Sequence, residues 1–303
     1  MTDRPTDPAG ATPGAAQHRQ RVALVTGATN GIGKWTALEL ARAGFRVLLT
    51  SRDPEKGQRV LDELRAQSGS EALELLVGDL SSMAEVRRVA LDLRARHPVL
   101  DVLVNNAGGL FHDRRTTVDG FEYTFAFNHL AYFLLTHLLE EPLKAAGAEG
   151  EARVVSVSSS GHYLGKLRWD DPEFQSGYAG WTAYFQSKLM NVLFAAALAR
   201  RLEGTGVTSN TLHPGLVRTG FGQDMTGPMR WLLGAANLFA LSPAQGARTS
   251  VYLATSPDVR GVTGQYFEQC RPKRPHALAL DTAAQDRLWA LSEARVRPWL
   301  DPR

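Results

Sequence analysis

The chain has 303 residues, a net charge of +3 and a hydrophobic fraction of 44%, values that are ordinary for a globular protein. So small a net charge gives no reason to expect binding to nucleic acid or to an anionic membrane. The single cysteine, Cys270, excludes an internal disulfide framework and fits a reducing cytoplasm.

In chain order, the first 20 residues are rich in Pro, Gly, Ala and Thr and contain no apolar run. They are therefore predicted to form a disordered N-terminal tail, and they do not resemble a secretory signal. The apolar stretches that follow are too short or too interrupted to cross a bilayer. We expect a cytoplasmic protein without a membrane span.

From residue 21 onwards, strand-like and helix-like segments alternate. Strands are predicted at 21–26, 46–50, 73–77, 102–104, 153–157, 207–212 and 265–267. Helices are predicted at 31–43, 54–67, 82–96, 118–139, 183–201, 243–254 and 281–294. Helices of this length between strands imply parallel crossovers. The predicted fold is therefore α/β: a doubly wound (Rossmann) parallel sheet of about seven strands with helices on both faces, as a single domain over 21–303.

A glycine-rich turn, TGATNGIG at 26–33, connects the first predicted strand to the first predicted helix. Gly27 permits a tight exit from the strand, and Gly31 lets the backbone approach a phosphate. Gly33 allows the helix to lie close to the sheet, and the N-terminal amides of that helix favour an anion. In this context the turn predicts a dinucleotide site.

A phenol and an amine are spaced four residues apart in TAYFQSK, as Tyr184 and Lys188. On a helix the two side chains share one face, and the ammonium group is expected to lower the pKa of the phenol. Such a phenol is suited to general acid/base work. A serine run, 158–160, ends the preceding strand and supplies a hydroxyl that can hold a substrate oxygen.

These motifs resemble those of the short-chain dehydrogenase/reductase family over 21–296. They comprise TGATNGIG, GDL at 78–80, NNAG at 105–108, Asn128, the serine run, TAYFQSK and HPGLVRT at 213–219. The segments FAFNHLAYFLLTHLL, YFEQC and RLWALSE are similar to those of the retinol dehydrogenase and WW-domain oxidoreductase branch. The resemblance implies an oxidoreductase that uses a nicotinamide cofactor on CH–OH donors.

The resemblance also implies which residues form the site. The implied catalytic residues are Asn128, Ser159, Tyr184 and Lys188, with Ser158 as the alternative serine. The implied cofactor contacts are Gly27, Thr29, Asn30, Gly31, Ile32, Gly33, Arg52, Asp79, Leu80, Asn105, Ala107, Gly108, Tyr184, Lys188, Pro214, Gly215, Val217 and Thr219. Within this set, Asp79 and the Leu80 backbone meet the adenine, and Asn105, Ala107 and Gly108 line the adenosine ribose. Asn105 and Asn106 are alternatively plain turn formers. The Val217 backbone and the Thr219 hydroxyl meet the nicotinamide carboxamide.

The choice of dinucleotide depends on the tip of the second strand, where Arg52 precedes Asp53. An arginine there accommodates a 2′-phosphate, whereas an acidic residue would bind the ribose diol. Asp53 can instead cap the next helix, since Pro54 suits a first helical position. We therefore predict NADP(H) over NAD(H), although Thr29 and Asn30 stand where the family often has a second basic residue.

The least regular segments, 161–181 and 221–241, are rich in aromatic residues. They predict an apolar or aromatic small-molecule substrate, with the second segment as a mobile lid. Alternatively, these aromatic residues pack in a core or a subunit interface. No residues have the spacing of metal ligands.

Two further functions remain open from the sequence: reduction of an activated C=C bond, and non-catalytic sensing of NADP(H). The family resemblance also implies a homodimer or homotetramer that pairs through the helices predicted at 118–139 and 183–201.

Overall fold

A central sheet of eight strands organises the part of the chain that the computed structural model describes, residues 19–217 and 240–300. The strand order is β3-β2-β1-β4-β5-β6-β7-β8. All neighbouring strands are parallel except β7 and β8, which are antiparallel. The strands are β1 (Val22–Val25), β2 (Arg46–Ser51), β3 (Leu73–Val77), β4 (Val102–Asn105), β5 (Ala152–Val157), β6 (Val207–His213), β7 (Tyr266–Glu268) and β8 (Arg271–Lys273).

Helices cover both faces of the sheet, as the alternating pattern predicts, and the fold class is confirmed. Within the described residues they are α1 (Gly31–Arg42), α2 (Pro54–Ser68), α3 (Met83–Arg96), α4 (Tyr123–Phe125), α5 (Ala131–Leu138), α6 (Glu140–Glu149), α7 (Gly180–Arg201), α8 (Pro243–Thr255) and α9 (Thr282–Leu300). Two apolar clusters, one on each face, form the core because strands buried on both sides carry apolar residues almost continuously.

The eighth strand was not predicted from the sequence, which places only a basic segment there. Gln269 and Cys270 have φ values of 50° and 61°, in the left-handed region, and they turn the chain back after β7. Residues Arg271–Lys273 then pair with β7 as an exposed edge strand. Propensity does not signal this hairpin, because neither turn residue is a glycine.

The single long helix predicted at 118–139 is also corrected. A helical segment begins at Tyr123, passes through a π-helical turn, Ala126–Leu130, and continues as α5 to Leu138. A separate helix, α6, follows directly. The π turn inserts one extra residue into the helical repeat, an arrangement that frequently occurs at functional sites.

The C-terminal helix α9 packs across α5 and α7. Its Trp289 ring lies 4.8 Å from the Phe133 ring and 6.0 Å from the Phe194 ring, between centroids. Most side chains of α5 and α7 are buried within the chain itself. Part of the surface through which we expected two copies to pair is therefore occupied by α9. Pairing through these helices stays a prediction, as does the oligomeric state itself.

At the N-terminus, residues 1–18 of the predicted tail lie outside the described residues. Arg19, which the prediction also assigned to the tail, donates to both Asp101 carboxylate oxygens at 2.7 and 2.9 Å. Among the described helices, none combines the length and apolar character needed to cross a membrane.

Candidate active site

Most of the predicted site residues lie at the carboxyl ends of strands β1 to β6. In the strand order, the chain runs outward in one direction from β1 to β3 and in the other from β4 onward. The loops after β1 and β4 therefore diverge at this point, which leaves a crevice where open α/β sheets bind ligands.

The glycine turn is held in the conformation that the sequence predicts. Gly27 has a φ of 64° and Gly31 a φ of 53°, values that favour glycine. A Cβ atom on Gly27 would lie 2.8 Å from the Ala107 Cα, and one on Gly33 would meet the Asn106 side chain and the Gly27 carbonyl. Each position thus leaves no space for a larger residue.

Asn106 is a structural residue of this turn, in line with the alternative prediction that it is a turn former. Its side-chain amide donates to the carbonyl oxygens of Thr26 at 2.8 Å and Gly27 at 3.2 Å. Its backbone N–H donates to the Thr26 hydroxyl at 2.8 Å. These bonds fasten the loop after β4 to the loop after β1, and only the NNAG motif hinted at them.

The first turn of α1 is open toward the crevice. Asn30 caps this helix with an extended backbone and makes no side-chain cap hydrogen bond, and the first turn carries no acidic residue. Its amide groups are therefore available to an anion, which a helix N-terminus stabilises. Thr29 and Ile32 lie half-buried beside this turn.

At the tip of β2, Asp53 is committed to α2. It caps the helix, and its Oδ1 accepts from the Lys56 N–H at 3.0 Å, with Pro54 in the first turn. Arg52 is exposed, and no carboxylate within the described residues forms an ion pair with it. The Asp53 carboxylate is thus engaged in the cap of α2, while the Arg52 guanidinium faces solvent.

The adenosine-side residues differ in their exposure. Asp79 is half-buried, and its Oδ1 accepts from the Ser81 N–H and hydroxyl at 2.9 and 2.8 Å. Leu80 and Ala107 are buried, whereas Gly108 is exposed. The Asn105 side chain is fully buried and donates to the Thr136 hydroxyl at 2.9 Å. The side chain therefore braces β4 against α5 and faces away from the crevice. A contact between Asn105 and the ribose would have to come from its backbone, and that contact stays a prediction.

The loop after β6 is described up to Val217. Pro214 and Gly215 form its turn, and the φ of Gly215 is 90°. Val217 pairs with Leu241 in an isolated parallel bridge, and its side chain packs near Gly246 of α8. Thr219 lies outside the described residues, as does nearly all of the predicted lid at 221–241.

The three candidate groups for proton transfer meet where β5 ends and α7 begins. Tyr184 and Ser159 share a side-chain hydrogen bond, and the Ser159 Oγ also accepts from the Gly161 N–H at 3.1 Å. The Lys188 Nζ lies 5.6 Å from the centroid of the Tyr184 ring. The alternative serine, Ser158, is fully buried and donates to the Lys188 carbonyl at 2.8 Å, so it points away from Tyr184.

Burial dominates the protonation of this group. It raises the pKa of Tyr184 to about 12, although the hydrogen bond with Ser159 lowers that pKa in part. Burial also lowers the pKa of the Lys188 ammonium to about 8. In the chain alone, burial therefore outweighs the lowering of the Tyr184 pKa that the spacing of Tyr184 and Lys188 predicts, and the net shift is upward. The Lys188 Nζ donates to the Val157 carbonyl at 3.2 Å, and a buried phenolate is costly.

Asn128 lies in the π turn and is fully buried. Its Oδ1 accepts from the Gly109 N–H at 2.9 Å, while its Nδ2 donates to the Gly109 carbonyl at 2.9 Å and the Ser187 hydroxyl at 3.0 Å. Ser187 donates in turn to the Tyr184 carbonyl at 2.8 Å. Asn128 thus ties the loop after β4 to the turn of α7 that carries the phenol.

A histidine behind the serine was not predicted. The His162 Nδ1 lies 2.7 Å from the Ser159 carbonyl oxygen, and its Nε2 accepts from the His276 N–H at 3.3 Å. These partners require the proton on Nδ1. Burial lowers the pKa of His162 to about 4, so the ring is neutral and supports the Ser159 backbone. Its position within the irregular segment 161–181 gave no signal of this role.

Several aromatic residues that we expected at the substrate end are structural. Phe174 is fully buried beneath the Arg168 guanidinium, at 4.7 Å from its ring centroid, and the Tyr178 hydroxyl donates to the Phe111 carbonyl at 2.9 Å. Trp169 packs against the core, under Arg287 of α9. By contrast, Trp181 is half-buried and lies 6.3 Å from the Tyr184 ring, so it remains near the site.

Within the described ranges, no group of three or more His, Cys, Asp or Glu side chains is arranged to hold a metal ion.

Comparison with known proteins agrees with this geometry. A family profile described as short chain dehydrogenase matches residues 21–229. The chain is 41% identical to retinol dehydrogenase 14 of Mus musculus over 290 residues, which cover 91% of this chain and 86% of that protein. It is 43% identical to polyprenol dehydrogenase of Mus musculus over 278 residues, covering 89% and 82% respectively.

A solved structure, the Pseudomonas aeruginosa RhlG/NADP active-site complex, superimposes with a TM-score of 0.66 and 28% identity. The match covers 82% of this chain and 93% of that one.

Proposed function

Since the chain belongs to the short-chain dehydrogenase family and is an oxidoreductase of CH–OH donors, we propose that it uses NADP(H) to interconvert an apolar carbonyl compound and its alcohol. One observation carries the proposal: the buried Tyr184 hydroxyl is hydrogen-bonded to Ser159, and the Lys188 Nζ lies 5.6 Å from the centroid of the Tyr184 ring. This is the constellation of groups that a coupled proton transfer needs.

The crevice fits a dinucleotide. The positions of Gly27 and Gly33 exclude a side chain, and the first turn of α1 presents uncapped amides. A Cβ atom on Gly108 would lie 3.3 Å from the Lys188 Nζ, so backbone and ammonium line the same wall. Bound there, NADPH supplies a hydride and NADP⁺ accepts one.

NADP(H) rather than NAD(H) is favoured by the different environments of Arg52 and Asp53 at the tip of β2. The Asp53 carboxylate caps α2 by accepting a hydrogen bond from the Lys56 N–H, while the neighbouring Arg52 is exposed. A planar guanidinium is suited to a 2′-phosphate, and a carboxylate engaged in a helix cap is a poor partner for a ribose diol. The NADP-bound relative RhlG is consistent with this choice.

In the reduction direction, the neutral Tyr184 phenol donates its proton to the carbonyl oxygen, which Ser159 holds as negative charge develops. A pKa of about 12 keeps that proton on the phenol until the oxygen becomes basic. Lys188, with a pKa of about 8, is mostly charged at neutral pH and stabilises the phenolate that is left. In oxidation Tyr184 accepts the alcohol proton instead.

An apolar substrate is supported by Trp181 beside Tyr184 and by the relatives, whose names refer to retinol and polyprenol. The test is a panel of benzaldehyde, decanal and retinal with NADPH, followed at the nicotinamide absorbance. We expect turnover of at least one aldehyde by the natural protein. Tyr184→Phe should keep NADPH affinity within about twofold and lose at least about 99% of turnover.

The same panel, extended by an α,β-unsaturated ketone, separates the alternatives. Normal turnover by Tyr184→Phe would refute the role of the phenol. NADPH binding without turnover of any carbonyl or C=C compound would indicate a sensor instead of an enzyme.

A further inference from the structure

A chain of buried hydrogen bonds connects α9 to Asn128. The Asn191 side chain on α7 donates through Nδ2 to the Asn128 backbone carbonyl at 3.0 Å. Its Oδ1 lies 3.3 Å from the His129 Nδ1, and the His129 Nε2 lies 2.8 Å from the Ser292 hydroxyl of α9. We call these three residues, Ser292, His129 and Asn191, the α9 relay.

The directions of the hydrogen bonds among Asn128, Asn191 and His129 follow from the fixed end of the α9 relay, the Asn128 carbonyl. The Asn128 carbonyl can only accept, so the Asn191 amide nitrogen must face it, which leaves the amide oxygen toward His129. That oxygen also only accepts, so His129 carries its proton on Nδ1. The lone pair on Nε2 then faces the Ser292 hydroxyl at 2.8 Å. The single proton of that hydroxyl is shared between Nε2 and the Leu288 carbonyl, which also lies 2.8 Å from the Ser292 oxygen.

The α9 relay is sealed from water. His129, Asn191 and Ser292 are each 0% exposed, and His129 is enclosed by the rings of Phe125 and Phe194. Burial lowers the pKa of His129 to about 4, so the ring stays neutral at working pH and its proton assignment does not change. A satisfied polar network in a dry core rigidifies its members.

The α9 relay ends at Asn128, which connects two segments of the candidate active site. The Asn128 backbone belongs to the π turn, and its side chain bonds Gly109 twice and Ser187 once. Gly109 directly follows Gly108, which faces the Lys188 Nζ. Ser187 donates a hydrogen bond to the Tyr184 carbonyl. A shift of Asn128 would therefore displace both the loop after β4 and the turn of α7 that carries Tyr184. Small displacements of reacting groups lower kcat.

We propose that Ser292, His129 and Asn191 are positioning residues, through which α9 holds Asn128 in register with the loop after β4 and with α7. The proposal rests on the proposed function, because it assigns the relay to the same proton-transfer site. None of the three residues touches the reacting atoms. Each acts through Asn128.

Two variants test the relay. Ser292→Ala removes one hydroxyl, and His129→Phe keeps an aromatic ring among the neighbouring rings while removing both nitrogens. The matched control is Ser209→Ala, because Ser209 is also fully buried and its hydroxyl has no partner among the described residues. Ser209 lies toward the start of β6, away from the site.

Turnover is measured with the best aldehyde of the panel and NADPH. We expect kcat to fall about tenfold in each variant, with both KM values within twofold, whereas Ser209→Ala matches the natural protein. The double variant His129→Phe/Ser292→Ala should be no worse than His129→Phe alone, because the two residues act in series.

A second measurement does not need activity. In the protein without dinucleotide, hydrogen exchange of the Gly109 amide should accelerate about tenfold in Ser292→Ala and His129→Phe, but not in Ser209→Ala. An unchanged kcat, or an unchanged exchange rate at Gly109, in a folded Ser292→Ala protein would overturn the proposal. If His129→Phe fails to fold, Ser292→Ala decides alone.

The failure of the relay is distinguishable from failure of the proposed function. A natural protein that turns over no aldehyde, or a Tyr184→Phe variant with full activity, contradicts the function. An active natural protein, an inactive Tyr184→Phe and a fully active Ser292→Ala together contradict only the relay.

Discussion

The buried ammonium of Lys188 is expected to destabilise the fold that it serves. Its pKa falls from the ordinary 10.5 to about 8 because burial penalises the charged form. Because proton binding and folding are linked, that difference lowers the free energy of unfolding by about 3 kcal/mol below pH 8. Lys188→Met removes the charge, keeps an unbranched side chain and loses the hydrogen bond to the Val157 carbonyl, which is worth about 1 kcal/mol.

We therefore expect Lys188→Met to be nearly inactive and yet more stable at pH 7, by about 2 kcal/mol. The sign of the pH dependence follows from the lowered pKa. Below pH 8 both folded and unfolded chains carry the proton, so the full cost applies. Between pH 8 and 10.5 the folded chain releases the proton first, and the cost declines. By pH 9.5 the advantage of the variant should have shrunk by about 2 kcal/mol, to near zero.

Urea unfolding of the protein without dinucleotide, followed by circular dichroism at pH 7 and pH 9.5, measures both values. The raised pKa of Tyr184 does not interfere, because it affects stability only above pH 10. Lys144→Met on α6 is the control, since the Lys144 ammonium is accessible and pairs with Glu140 at 2.7 Å. A Lys188→Met protein that is less stable at pH 7, or a stability difference that does not change with pH, would refute the reasoning.

Three further variants test separate parts of the structure. Arg52→Glu should lower kcat/KM for NADPH at least about tenfold in steady-state kinetics, because the guanidinium that suits a 2′-phosphate is lost, and should leave kcat/KM for NADH within about threefold. Equal losses with both cofactors would argue against a 2′-phosphate contact. Gly33→Ala should abolish NADPH binding in calorimetry and cost about 1–3 kcal/mol of stability, because its Cβ would meet Asn106; unchanged affinity would contradict the tight turn. Trp289→Ala should cost about 2–4 kcal/mol in urea unfolding; a loss below about 0.5 kcal/mol would show that α9 packs only loosely.

Much of the fold and the candidate site follows from local pattern. The strand over 73–77 was predicted with its observed bounds, and the glycine turn and the Tyr184–Lys188 spacing appear where the motifs place them. These features depend on period, on positive φ values and on neighbours in sequence. Such information is local, so one chain is enough to recognise it.

The remaining features depend on tertiary neighbours. The π turn at Ala126–Leu130 leaves the apolar pattern of a helix intact, so the inserted residue is not visible in the sequence. The pKa of Tyr184 is set by how deeply the phenol is buried, which spacing does not reveal. The side chain of Asn105 turns to Thr136, about 30 residues along the chain, instead of to the crevice.

The placement of α9 has a consequence for biosynthesis. Translation reaches this helix after every other described element, so the emerging polypeptide carries the cofactor and catalytic motifs, from TGATNGIG to HPGLVRT, before Trp289 and Ser292 exist. Until then, Phe133 and Phe194 lack their cover and are exposed to chaperones. We expect a product that ends before residue 282 to keep the cofactor and catalytic motifs yet to expose the apolar surface that α9 otherwise covers.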